Sequence, residues 1–153
     1  MRFCWLNILS KLPLCVHHFF ADYLIYPLMY YIVRYRMRLV DKNLRNSFPD
    51  WSDAQRKILR KRFYHQFADV MVETIWGYKA TDAEMREHLI FENSEAFNAA
   101  IREHKGALAM LAHLGTWEWI ADYGRRVEPD GMYELNVYRR LRNTYFDQLM
   151  LEI

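Results

Sequence analysis

The chain has 153 residues, enough for one domain with a sizeable core and too few for two of ordinary size. Hydrophobic residues make up 52% and aromatics 16%, and many of them crowd into the first third, which points to contact with lipid. The net charge is only +2, yet between residues 34 and 62 ten basic residues face Asp41, Asp50 and Asp53, a local net of +7 that favours an anionic membrane surface or a phosphorylated lipid over nucleic acid.

Residues 12–33 contain no Lys, Arg or Glu, and as one straight helix these 22 residues would reach about 33 Å, the thickness of a bilayer core. Pro13, His17, His18, Asp22 and Pro27 interrupt the run, and a buried aspartate in a lone span is costly, so a shallow anchor is expected rather than a span. His18 and Asp22 lie one turn apart and are expected to partner each other. Tyr23, Tyr26, Tyr30 and Tyr31 suit the headgroup level, with Arg34, Arg36 and Arg38 following on the cytoplasmic side. Without a small-x-small cleavage site, the stretch does not read as a cleaved signal peptide. Cys4 and Cys15 give no disulfide framework, and His17, His18, His65, His88 and His104 fall in no metal-ligand motif, so no metal is expected.

A helix is predicted from residue 34 to about 44, stopped by Asn46, Ser47, Phe48 and Pro49. Ser52 with Gln55 forms a capping box for a longer helix whose inner stripe reads as Leu59, Phe63, Phe67, Val70, Met71, Thr74 and Ile75, ending at Gly77. Thr81 with Glu84 opens a short helix to about His88, and Asn93 or Ser94 caps another running to Lys105.

Residues 107–112, ALAMLA, follow the helix-stopping pair Lys105 and Gly106 and read as a buried strand. His113 falls at the strand's end, Gly115 lets the chain turn, Thr116 caps the next helix and Glu118 sits in its first turn. Across such a bend a carboxylate five positions on can reach an imidazole, fix one tautomer and stabilise its charged form, which makes a general base. The plainer reading is a loop histidine beside a glutamate that the helix dipole favours. Trp117, Ile120, Ala121 and Gly124 supply the inner face of a helix ending near Arg125 and Arg126. A turn at residues 128–131, a second strand at 132–138 and a last helix capped by Asn143 or Thr144 follow.

The segment HLGTWEW resembles the H-x-x-x-x-[DE] box of membrane acyltransferases, in the style of the late lipid A (lauroyl/myristoyl) acyltransferase family. NLRNSFPDWS at residues 43–52 and VYRRLRNTYFDQLM at residues 137–150 are similar to two further blocks of that family, in the same order. The resemblance implies transfer of a fatty acyl chain from an acyl thioester, on acyl carrier protein or coenzyme A, to a hydroxyl of a lipid A precursor or related glycolipid. It implies His113 and Glu118 as catalytic residues, no cofactor, and a place on the cytoplasmic face of a bacterial inner membrane. Free amides at the start of the helix near Thr116 would help a developing oxyanion. Arg139 resembles the arginine of the family's Y-R-P motif, and with Arg140 and Asn143 it is expected to bind an anionic part of a substrate; Arg140 stands where proline is usual, which puts the loop's rigidity in doubt. A glycerophospholipid acyltransferase more usually carries Asp at the position of Glu118. No G-x-S-x-G elbow is present, which disfavours a serine hydrolase.

The expected fold is therefore α/β: a mainly helical N-terminal part with a membrane-associated helix at residues 1–38, then residues 39–153 as the N-terminal half of an acyltransferase domain. That half holds the first strand-helix-strand unit of a sheet and is incomplete at the C-terminus, since two parallel strands do not form a stable sheet alone. The alternative function is a catalytically inactive, truncated scaffold that binds membrane lipid or a protein partner.

Overall fold

The computed structural model describes residues 4–123 and 139–152. Its α-helices are α1 (Cys4–Leu9), α2 (Leu14–Phe20), α3 (Met37–Ser47), α4 (Asp53–Gly77), α5 (Asp82–His88), α6 (Ser94–His104) and α7 (Thr144–Glu152). Two π-helical turns, Ala21–Ile25 and Leu28–Ile32, continue α2, and a 3-10 helix covers Trp117–Asp122. The chain divides into two compact units, Lys11–Trp76 and Gly77–Ile153 joined by Met1–Ser10.

In the first unit residues 14–32 run as one continuous helical stretch, but not as a regular α-helix. Proline has no N–H to donate and crowds the carbonyl four residues back. Wide turns lie on both sides of Pro27, with Tyr26 N–H donating to Ala21 O and Val33 N–H to Leu28 O at 2.8 Å. No helix among the described residues is long and apolar enough to cross a membrane. Arg34 and Arg36 then take left-handed backbone (φ 50° and 51°), each at about 1 kcal/mol, to turn the chain into α3.

The core of this unit is Ala21, Tyr26, Met29 and Tyr30 packed with Tyr64, Ala68 and Val72 of α4. Burying each large side chain contributes about 1.5–3 kcal/mol. Tyr64, fully buried, donates its hydroxyl to the Tyr35 carbonyl. The buried stripe of α4 keeps Thr74, with Phe67 packed against the core, but is otherwise rotated from the predicted one: Phe63 and Met71 are 43% and 41% exposed. Apolar and polar residues are spread around α4 together, so its own pattern does not choose a face. The small Ala68, fully buried like Ala21 in the same cluster, permits close approach. The predicted pairing of His18 with Asp22 is also replaced. His18 lies between Asp69 (3.3 Å) and Glu73 (3.5 Å), one turn apart on α4, and Asp22 meets His65 at 3.2 Å.

The predicted caps form where two local groups satisfy each other. Ser52 N–H donates to Gln55 Oε1 (2.9 Å) while Gln55 N–H donates to Ser52 Oγ (3.3 Å), and Thr81 and Glu84 repeat the box at α5. Asn93 holds the N-cap position of α6 in left-handed backbone without a side-chain bond.

The α/β expectation is corrected by the second unit. Residues 107–112 run without a ladder partner, and the described residues contain helices and loops but no strand. An apolar run becomes a strand only when a neighbour takes its N–H and C=O groups. Here Leu108 and Met110 are 85% and 89% exposed, so the run is not a buried core segment. The predicted turn at 128–131, strand at 132–138 and helix end at Arg125 and Arg126 lie outside the described residues. Aromatic contacts hold the end of the 107–123 segment. Tyr123 packs edge-on to Phe91 (4.8 Å) and Phe97 (5.4 Å) and donates its hydroxyl to Asn98 Oδ1 at 2.9 Å.

Candidate active site

The segment that carries His113 and Glu118 turns twice within four residues. Leu114 N–H donates to Ala112 O at 2.8 Å, closing a three-residue turn centred on His113. Gly115 follows at φ +58°, a conformation that costs a side-chain-bearing residue and costs glycine nothing. Thr116 then occupies the N-cap position of the 3-10 helix, whose first bond runs from Trp119 N–H to Thr116 O at 3.1 Å, without a side-chain cap. The predicted α-helix is here a 3-10 helix of six residues. Trp119 anchors it against Gly77: a Cβ placed on Gly77 would come within 2.6 Å of the Trp119 indole nitrogen.

These turns leave His113 exposed and Glu118 half-buried. The His113 ring lies 4.3 Å from the Trp117 ring, four residues on, and Trp117 is a neighbour that the His-to-Glu spacing alone does not reveal. Glu118 Oε2 is buried without a hydrogen-bond partner. Burial pushes the Glu118 carboxyl above the ordinary glutamate range, while its own backbone amide and the field of His113 pull it down without cancelling that effect. His113 and Glu118 are therefore electrostatically coupled but share no hydrogen bond. Catalytic hydrogen bonds are often long in an unliganded site and tighten once substrate is bound.

Arg139 and Arg140 are exposed on an irregular segment leading into α7. Asn143 caps α7: its Oδ1 accepts from Tyr145 N–H (3.0 Å) and Phe146 N–H (3.3 Å), which leaves its amide NH2 as the part free to meet a ligand. Asp147 holds the same segment by accepting from Leu141 N–H at 2.7 Å. No hydrogen bond or ion pair among the described residues joins Arg139, Arg140 or Asn143 to His113 or Glu118.

The family of bacterial lipid A biosynthesis acyltransferases matches the chain over residues 3–153. The chain belongs to that family. Comparison with curated proteins and with solved structures returned no match. As a lipid A biosynthesis acyltransferase by family, it has acyl transfer as its class of chemistry, with an acyl donor and a lipid acceptor.

Proposed function

We propose that His113 and Glu118 are the catalytic pair of an enzyme that moves a fatty acyl chain from an acyl thioester, on acyl carrier protein or coenzyme A, to a hydroxyl of a lipid A precursor or related glycolipid. The observation that carries this reading is the double turn that exposes the His113 imidazole beside a half-buried carboxylate with one unpartnered oxygen. His113 takes the proton of the acceptor hydroxyl as its oxygen attacks the thioester carbonyl. Glu118 stabilises the imidazolium that forms. The tetrahedral intermediate then breaks its C–S bond, and the departing thiolate takes the proton from His113, leaving an ester and a free thiol.

Arg139, with Arg140 and the Asn143 amide, holds an anionic part of a substrate. The enzyme works on the cytoplasmic face of the bacterial inner membrane. Support for that location is the exposed row Phe19, Phe20, Tyr23, Leu24, Leu28, Tyr31, Ile32 and Val33, followed by Arg34, Arg36 and Arg38.

A double-mutant cycle tests the pair. His113→Ala should lose about a hundred- to ten-thousand-fold in transfer, and Glu118→Ala nearly as much. The double variant should be little worse than His113→Ala, because both changes remove one function. Additive losses, or a fully active His113→Ala protein, would sink the reading.

A further inference from the structure

The basic block between residues 34 and 62 folds back on itself, and its charges separate into two groups with different work to do. Arg60 bonds Asp41 at 2.6 Å and the Tyr30 hydroxyl at 3.3 Å, tying α4 to α3 and to the π-helical turn. Arg56 donates to the Phe48 carbonyl (3.0 Å), the Pro49 carbonyl (3.4 Å) and Asp53 (2.9 Å), which braces the loop between α3 and α4. These two guanidiniums are structural, and both are largely buried. The Nε donors of both are buried without an acceptor.

Arg38, Lys42, Arg45 and Lys57 behave differently. All four are exposed, and none has an ion-pair partner among the described residues. They converge because Arg38, Lys42 and Arg45 recur at helical steps along one face of α3, while Lys57 and Arg60 recur along α4 beside it. Arg38, Lys42 and Arg45, with Asp41 and Asn46, line a concavity of about 310 Å³. A second of about 190 Å³ shares Asp41 and Arg45 with it and adds Asp53, Arg56, Lys57 and Arg60. Six cations and two carboxylates line the pair of concavities, and both carboxylates are already engaged by Arg56 and Arg60.

We propose that this cleft between α3 and α4 is a phosphate-binding site, with Arg38, Lys42, Arg45 and Lys57 as its ligands. Arg38, Lys42 and Arg45 around the first concavity, with Lys57 beside Arg45 in the adjoining one, repel each other, and a phosphate monoester, dianionic with three acceptor oxygens, relieves that repulsion better than a single carboxylate. Arg38 and Arg45 offer planar forks and Lys42 and Lys57 point charges, a mixture that suits a phosphate held from several sides. The concavities exceed the size of one phosphate group, leaving room for whatever carries it. A long polyanion would need a track of cations, whereas these converge. The site rests on the cleft alone. Only the choice of carrier, a lipid headgroup or a soluble phosphate-bearing thioester donor, rests on the acyl-transfer reading.

The test uses the full chain and two probes. Coenzyme A, titrated calorimetrically with inorganic phosphate as competitor, reports a soluble phosphate. Phosphatidylcholine vesicles doped with phosphatidic acid, or with phosphatidylserine at matched surface charge, report a lipid phosphate. Arg45→Gln removes one ligand with little change in helix propensity, and Lys11→Gln removes the same charge from the same unit outside the cleft. Arg45→Gln should weaken binding about tenfold, the worth of one charge-assisted hydrogen bond, while Lys11→Gln stays near wild type. Weakening with coenzyme A alone assigns the cleft to a soluble donor, and weakening with phosphatidic acid alone assigns it to a headgroup. The proposal falls if the two variants behave alike with both probes. It also falls if phosphatidylserine substitutes fully for phosphatidic acid and coenzyme A does not bind. The cleft is read by binding and the catalytic pair by acyl transfer, so failure of one and failure of the other are separate results.

Discussion

Replacing Glu118 with glutamine should make the protein more stable and less active, and the stability gain should depend on pH. Glu118 Oε2 is buried without a hydrogen-bond partner, so the folded protein holds a charged oxygen away from water with nothing to satisfy it. Such a group costs about 1–3 kcal/mol or more; because Glu118 keeps part of its solvent contact, screening brings the figure to about 1 kcal/mol. In a chain of this length that corresponds to a rise in Tm of roughly 2–4 °C. The sign with pH follows from burial, which raises the carboxyl above its ordinary 4.5 in the folded state. Between 4.5 and the raised value the folded chain binds more protons than the unfolded one, so wild-type stability falls as pH increases through that window. Below the window Glu118 is neutral in both states and the two proteins should melt together. Above it the glutamine variant should melt higher. Thermal melts followed by circular dichroism from about pH 4 to about pH 8 cover the range. Acyl transfer assayed on the same preparations should show a loss of about a hundredfold or more, since glutamine cannot stabilise an imidazolium by charge. A glutamine variant that melts lower at neutral pH, or whose gain is the same at every pH, would refute the argument.

Gly77→Ala should lower Tm, because the added methyl would meet the rigid Trp119 indole at 2.6 Å; overpacking of this kind costs about 1–3 kcal/mol, measurable by denaturant titration. Arg139→Ala should raise KM with kcat little changed, and Arg139→Lys should recover only part, since a point charge does not reproduce the planar fork; wild-type kinetics for the alanine variant would remove Arg139 from the site. Ile32→Asp, on a side chain 75% exposed, should leave the fold intact and weaken vesicle binding about tenfold in a flotation assay; equal flotation would separate this face from the membrane.

The parts of the fold legible from sequence are those in which both partners lie within one turn of chain. Ser52 with Gln55 and Thr81 with Glu84 cap their helices because each side chain reaches only the backbone beside it, and Asn143 caps α7 for the same reason. The bend from His113 to Glu118 belongs to this class, since Gly115 at φ +58° is a local demand that glycine meets. Local spacing stops being informative where a distant group competes. His18 and Asp22 are well placed for each other on a helix, yet Asp69 and Glu73 offer His18 two carboxylates, and His65 stacks on Tyr26 at 3.5 Å while meeting Asp22. The apolar run at residues 107–112 misled for a related reason. Its composition specifies dislike of water, but being a strand is a property of two segments, and no described segment pairs with this one.

The basic block shows the same division inside a single set of charges. A count of ten cations against three aspartates says nothing about which are occupied. Once α3 and α4 lie together, Arg56 and Arg60 are consumed in holding the loop and the helix pair, through bonds to carbonyls and aspartates that the count had set against the whole block. With six cations against Asp41 and Asp53 alone, the lining of the cleft keeps an excess of positive charge. The bonds that stabilise the helix pair thus sit in the same cleft that stays positively charged. Loosening the helix pair by Asp41→Asn should therefore cost stability while making the cleft more positive, whereas a purely structural role for the block would show the first effect without tighter anion binding.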